Sequence, residues 1–154
     1  MARTLTAVAT LVDGQKAFLA RGASGHEVLM DAATTNHGND RGPRPMEMLL
    51  FVMAGCAGMV LITLLRKMRQ EPDAHAVEIV GEYSDEVPGR IVRARIHHKL
   101  RGASLRRESV ERALELTEKA CPVGISVCDA IAITQSFEID DGSQADGRSA
   151  RTPD

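Results

Sequence analysis

Alternation of polar and apolar residues predicts short strands near both ends of the chain. The clearest example is "TLTAVATLV", Thr4 to Val12, which is followed by the turn dipeptide Asp13-Gly14. Similar patterns predict strands at 16–20, 27–31 and 132–139. The segment 32–45 is rich in Gly, Asn, Thr and Pro and is predicted to be a loop.

A long apolar run predicts a central helix over Met46–Arg69, preceded by Pro45 and followed by Pro72. Between Met48 and Leu65 its only polar side chains are Cys56 and Thr63. A helix that is apolar all round is buried in protein or spans a membrane, and the amphipathic elements elsewhere favour burial. Such a helix is about 36 Å long, too long for a chain of this size to surround. We therefore expect a homodimer with an intertwined core and no membrane association.

A hairpin and two further helices are predicted after the central helix. Residues 77–83 and 90–100 flank "SDEVPG", a loop with a proline-glycine turn. Ser104 is expected to cap a second helix that ends at Ala120, and Pro122 to open a short third one. On the second hairpin strand the residues alternate between an apolar face and a basic face. Glu78 and Glu82 are expected opposite the arginines of the basic face, as a salt-bridged solvent surface.

Composition and charge restrict the class of protein. The 154 residues, 44% hydrophobic and 26% charged, predict one globular domain over 1–140, with a small, polar and disordered tail over 141–154. A net charge of -2, no Trp and one Tyr argue against nucleic-acid binding. The N-terminus lacks the continuous apolar run of a signal peptide, and three cysteines are too few for a secreted disulfide framework, so a cytoplasmic location is expected. The histidines show no metal-ligand spacing.

Two cysteines lie on helix faces that are predicted to be buried. Cys56 is flanked by the small residues 54, 55, 57 and 58, which permit close helix packing or leave room for a ligand at the thiol. Cys121 ends a stripe of inward positions on the second helix and stands near the N-cap of the third, where the helix dipole is expected to lower the pKa of its thiol. Two inward thiols on different helices suit a nucleophile and a resolving partner. Cys128 is expected to be a buried structural thiol.

The segment "GPRPMEMLLFVMAGC", followed by "CPV" at residues 121–123, resembles the OsmC/Ohr family of osmotically inducible and organic hydroperoxide resistance proteins. The resemblance spans roughly residues 4–139 and is closest to the YhfA-like branch. It implies an α+β homodimer with antiparallel strands around a long buried central helix and active sites at the interface.

The resemblance also implies a thiol peroxidase that acts on small apolar hydroperoxides in oxidative or osmotic stress defence, without cofactor or metal. Cys56 would be the attacking thiolate and Cys121 would form a disulfide with it, which a dithiol reductant protein reopens.

The chain departs from the peroxidase pattern at the residues that support the thiolate. Met46 stands where those enzymes have a glutamate, and the nearest acid is Glu47. Glu47 is nine residues, or two and a half helical turns, before Cys56, so the two lie on opposite sides of one chain's helix and cannot meet there. Glu47 is instead expected to stabilise the helix N-terminus. The family's early-strand arginine has no clear counterpart, and Arg41 and Arg44 are substitutes by position. The alternative function is therefore a non-catalytic member that binds a small hydrophobic ligand at the dimer interface.

Overall fold

The computed structural model describes residues 4–141, so the predicted tail lies outside the described residues except for Asp141. The chain forms two compact units, one that ends at Leu49 and one that begins at Leu50. The elements follow the predicted order of strands, long helix, hairpin, two helices and final strand.

The first unit is built on a three-stranded antiparallel sheet. Its strands are β1 (Ala7–Leu11), β2 (Phe18–Gly22) and β3 (Glu27–Met30), in the order β1-β2-β3. The predicted turn at Asp13-Gly14 is confirmed: the Asp13 carboxylate accepts hydrogen bonds from the N–H groups of Gln15 and Ala17, and Gly14 has a φ of 71°. Because this turn occupies Lys16 and Ala17, β2 begins two residues later than predicted.

The loop after β3 is organised by one buried carboxylate. Asp31 is 2% exposed and accepts hydrogen bonds from the N–H groups of Ala32 (2.7 Å), Asn39 (3.1 Å) and Arg41 (3.1 Å). A Cβ atom at Gly38 would lie 2.0 Å from the carbonyl oxygen of Ala32, so only glycine fits there. These contacts bring the loop back to its starting strand.

Helix α1 (Pro45–Lys67) confirms the predicted central helix. Its buried residues are Met53, Ala57, Gly58, Leu61 and Leu65. Another stripe of its surface is apolar but exposed within one chain, including Phe51 (56%), Val52 (47%) and Met59 (66%). By length and composition α1 could cross a membrane. A third of its most apolar stretch is buried inside the protein, and its inward face belongs to the core of the second unit.

The second unit contains a sheet of three strands, β4 (Ala74–Tyr83), β5 (Ile91–Arg101) and β6 (Ala132–Asp140), in the order β4-β5-β6. The predicted hairpin is confirmed as the antiparallel pair of β4 and β5. Whereas we expected antiparallel strands, β6 runs parallel to β5. The reason is that α2 (Arg107–Ala120) and α3 (Pro122–Val127) form a crossover that returns the chain to the same end of the sheet.

The inward face of α2 packs against α1 and β5 as its apolar stripe predicts. Its buried residues are Val110, Ala113, Leu114 and Thr117, which join Leu61, Leu65 and Leu100 in the core. The predicted cap at Ser104 is wrong. The helix begins at Arg107, and the preceding N–H, that of Arg106, donates to the side-chain oxygen of Gln70 at 2.8 Å instead.

The outer face of the second sheet carries the predicted ion pairs. Glu82 pairs with Arg93 at 2.8 Å and also with Arg95. Glu78 pairs with Lys99 at 2.6 Å rather than with an arginine. These exposed pairs make the face a solvent surface, and each contributes little to stability.

Candidate active site around Cys56 and Cys121

Cys121 is held at the junction of α2 and α3. Its N–H donates to the carbonyl of Thr117 at 2.9 Å, which ends α2, and its sulfur accepts from the N–H of Gly124 at 3.4 Å, which caps α3. The side chain is 3% exposed. Both the inward orientation and the N-cap position predicted for Cys121 are therefore confirmed.

The expected effect of that position on the thiol is wrong. Burial raises the pKa of Cys121, and this outweighs the lowering by the hydrogen bond from Gly124, while the neighbouring Cys56 thiol raises the pKa further. Because α3 has only six residues, its dipole is weak and lowers the pKa of the thiol little. The loss of hydration on burial raises the pKa by more. Cys121 is therefore a protonated thiol at neutral pH.

Cys56 approaches Cys121 from α1. It is half-buried and packs against the cluster of Ala57, Ile96 and Cys121. The described structure thus brings the two predicted thiols into one cluster within the second unit, both as free cysteines.

The small residues around Cys56 have different environments. A Cβ atom on Gly58 would lie 3.0 Å from a methyl group of Val77 on β4, so close packing of helix and strand explains this glycine. A Cβ atom on Gly55 would meet no atom within 4 Å. The lack of a side chain at Gly58 lets strand β4 pack directly against the helix. Gly55, in contrast, faces open space in the single chain.

A cavity of about 360 Å³ opens beside the cluster. Its apolar lining includes Met53, Ala57, Ile96, Ile125, Ile131 and Ile133. Its polar lining includes Cys121, Cys128, Glu118 and Gln135. Such a lining suits a small, mainly apolar molecule that carries one polar group.

The position of Cys128 corrects the expectation of a buried structural thiol. It is exposed, lines the cavity, and donates from its sulfur to the carbonyl of Ile125 at 3.3 Å. Cys121 is buried at the beginning of α3, whereas Cys128 follows the end of this short helix and is not covered by it.

A chain of polar side chains behind this cavity was not assigned a role from the sequence. His98 is completely buried, and its Nε2 lies 3.0 Å from Oε1 of Gln135 while its Nδ1 lies 3.0 Å from Nε2 of His75. The alternation of β5 placed His98 on the core face. The sequence could therefore have indicated that His98 takes part in a polar network, because a buried histidine needs hydrogen-bond partners.

The supporting candidates Arg41, Arg44 and Glu47 lie in the first unit and have partners there. Glu47 accepts from the backbone N–H of Arg44 at 2.8 Å and pairs with its guanidinium at 3.2 Å, which confirms the predicted role at the helix N-terminus. Arg41 lies 4.0 Å from Asp13. A role of the three beside a thiolate stays a prediction. Among residues 4–141 no cluster of three His, Cys, Asp or Glu side chains suits a metal ion.

The family described as OsmC-like protein matches residues 37–136. The chain belongs to the OsmC-like family. Protein YhfA of Escherichia coli strain K12 is 34% identical over 123 residues, which cover 79% of this chain and 89% of YhfA. OsmC-like proteins are soluble, so α1 is the core helix of a soluble fold.

Solved structures agree with this OsmC-like fold. A structure titled "Crystal structure of an organic hydroperoxide resistance protein OsmC, predicted redox protein, regulator of sulfide bond formation" from Legionella pneumophila is 10% identical, covers 89% of this chain and 98% of its own, and has a TM-score of 0.68. An organic hydroperoxide resistance protein from Elizabethkingia anophelis is 14% identical, covers 91% and 99%, and has a TM-score of 0.70. At these identities the likeness shows the fold.

Proposed function

We propose that this OsmC-like protein is a thiol peroxidase that reduces small apolar organic hydroperoxides in defence against oxidative stress. The observation that carries the proposal is the packing of Cys56 against a buried Cys121 beside an apolar cavity. The family, and the names of the two structural neighbours, agree with this direction.

The reaction needs two steps on the protein. The Cys56 thiolate attacks the terminal oxygen of the hydroperoxide, the O–O bond breaks, and Cys56 becomes a sulfenic acid. The alkoxide that is displaced takes up one proton, equivalent to the one released when the Cys56 thiol ionised, and leaves as the alcohol. The Cys121 sulfur then attacks the Cys56 sulfur, an S–S bond forms, and the Cys121 proton leaves with the displaced hydroxyl as water. An external dithiol reductant protein restores both thiols by exchange.

The environment of Cys121 supports its assignment as the second thiol. Because burial keeps it protonated, it is a poor first nucleophile and retains the proton that the leaving hydroxyl needs. It packs against Cys56 and is only 3% exposed, which favours an intramolecular disulfide over reaction with a second peroxide.

The test is the fate of each cysteine after one equivalent of cumene hydroperoxide. Peptide mapping should find a Cys56–Cys121 disulfide in the wild type, and Cys121→Ser should accumulate a sulfenic acid at Cys56 that dimedone traps. Cys56→Ser should not react, and the matched control Cys128→Ser should behave as the wild type. A disulfide that contains Cys128 would contradict the assignment of the two residues. If neither Cys56 nor Cys121 is modified by excess peroxide, the proposed peroxidase activity is wrong.

A second candidate function is favoured by the lining of the cavity. Most of its walls are isoleucine, methionine and alanine side chains, which suit a small hydrophobic ligand without any reaction. This binding function is supported if the protein binds cumyl alcohol and if all of its thiols stay reduced after treatment with cumene hydroperoxide.

We also propose that the protein acts as a homodimer. The exposed apolar stripe of α1 at Phe51, Val52 and Met59 is one reason. The other is the face of the first sheet that carries Leu11, Phe18 and Val28, each at least 40% exposed. A second copy of the chain would cover such surfaces, which single-chain soluble proteins rarely leave open.

Sedimentation should give twice the chain mass of 16.6 kDa. Met59→Glu should shift the protein toward the monomer, whereas the control Thr134→Glu on the outer sheet face should not. A folded wild-type monomer at low micromolar concentration contradicts the proposal.

A further inference from the structure

The cavity beside Cys121 has one polar side chain whose orientation is fixed from behind. Gln135 lies on the inward face of β6 and lines the cavity. Its Oε1 lies 3.0 Å from Nε2 of the fully buried His98. Nδ1 of His98 in turn lies 3.0 Å from Nε2 of His75, and the two rings stack with centroids 5.3 Å apart.

The direction of these hydrogen bonds follows from elementary chemistry. An amide oxygen can only accept, so His98 donates from Nε2 to Gln135. A neutral imidazole has one donor and one acceptor nitrogen, so Nδ1 of His98 accepts from the Nε2–H of His75. The neutral state is supported independently: burial lowers the pKa of His98, and burial together with the adjacent His98 lowers the pKa of His75 to about 4.

The consequence lies at the Gln135 amide nitrogen. Within residues 4–141 that NH₂ group has no hydrogen-bond partner, and it belongs to a residue that lines the cavity. In the described part of the chain, no fully buried side-chain nitrogen or oxygen atom lacks a hydrogen-bond partner. The unpartnered NH₂ group of Gln135 is therefore not fully buried, and a ligand or water can reach it. The cavity thus has a hydrogen-bond donor, and turning the amide around would require both imidazoles to move their proton from Nε2 to Nδ1.

We propose that Gln135 is the residue that anchors the oxygen of a ligand in the Cys121 cavity, with His98 and His75 as positioning residues that keep its NH₂ group available as the donor. The ligand class is a small apolar molecule with one oxygen acceptor, such as a hydroperoxide, its product alcohol or a ketone. The inference rests on the cavity being the ligand site of the proposed function, and it does not depend on thiol oxidation.

The test compares two unreactive probes of the same shape. Acetophenone carries a carbonyl oxygen where α-methylstyrene carries a CH₂ group, so the difference between their affinities isolates the hydrogen bond. Affinities can be measured by titration of ¹⁵N-labelled, reduced protein. In Gln135→Met, which keeps length and removes the donor, the affinity for acetophenone should fall about fivefold, as expected for one hydrogen bond, while that for α-methylstyrene should not change.

Two controls sharpen the comparison. Gln135→Glu keeps an acceptor for His98 but loses the NH₂ group, so it should lose ketone affinity as the methionine variant does. Thr134→Val changes an exposed residue on the outer face of the same strand, away from the cavity lining, and should leave ketone affinity as in the wild type. Equal loss for both probes in Gln135→Met, or unchanged ketone affinity, overturns the assignment.

A second measurement tests the positioning residues without relying on any variant. Long-range ¹H–¹⁵N spectra should show both His98 and His75 with the proton on Nε2. Protons on Nδ1 of both rings would mean that Gln135 turns its oxygen toward the cavity, which overturns the proposal. If the probes behave as expected but Cys56 and Cys121 resist peroxide, the peroxidase proposal alone fails; if neither probe binds, this inference fails whatever the thiols do.

Discussion

Replacing Gly58 with leucine introduces a side chain where α1 touches β4. The Cβ atom alone would lie 3.0 Å from Cγ2 of Val77 and 3.6 Å from Cε1 of His75, and Gly58 is buried. Three further carbon atoms of a leucine side chain would have to displace the Val77 and His75 side chains to enter the open groove that Gly58 lines together with them.

The expected effect combines three contributions. Overpacking of this kind costs roughly 1–3 kcal/mol. Displacement of the His75 ring weakens its hydrogen bond to His98, which adds about 1 kcal/mol. Removal of a helical glycine returns about 1 kcal/mol, so the free energy of unfolding should fall by about 2 kcal/mol and Tm by roughly 4–8 °C.

Thermal unfolding followed by circular dichroism at one fixed protein concentration measures this effect. The matched control is Gly55→Ala on the same helix, where a new Cβ atom meets nothing within 4 Å and the gain in helix propensity should raise stability by up to about 1 kcal/mol. A Gly58→Leu variant that melts with the wild type would refute the reasoning, because it would show that Gly58 does not pack against β4.

Three further predictions follow from the buried polar groups. The free energy of unfolding should decrease as pH falls from 6.5 to about 4, because the unfolded chain binds a proton at His75 in this range and the folded chain does not. The loss of stability is at most about 3 kcal/mol, reduced to roughly 1–2 kcal/mol by the partial exposure of the ring. In His75→Gln the denaturation midpoint should therefore depend less on pH. Asp31→Asn should lower the free energy of unfolding by about 2–3 kcal/mol in urea titrations, since its NH₂ group would face backbone N–H donors, whereas Asp85→Asn in the hairpin loop should change it by less than about 0.5 kcal/mol. Iodoacetamide at pH 8 should alkylate the exposed Cys128 before the buried Cys121, whose raised pKa keeps it protonated, and the reverse order in mass spectra would contradict the assigned environments.

The patterns along the sequence determined the elements and the side of each that is buried. The apolar run after Pro45 is long enough to specify a helix without any knowledge of its neighbours, and the stripe from Val110 to Thr117 specifies the inward face of α2. Both patterns depend on local periodicity, which is a property of the sequence itself. This is why the sequence placed Cys56 and Cys121 on inward faces of two helices.

Tertiary structure decided what those residues experience. The parallel pairing of β6, the exposure of Cys128 and the raised pKa of Cys121 depend on which surfaces meet, and residues far apart in the chain supply them. The same holds for the link from His75 through His98 to Gln135, because β4, β5 and β6 are brought together by strand register. Desolvation and hydrogen bonding act over a few ångströms of space, and sequence periodicity does not report such distances between separate elements.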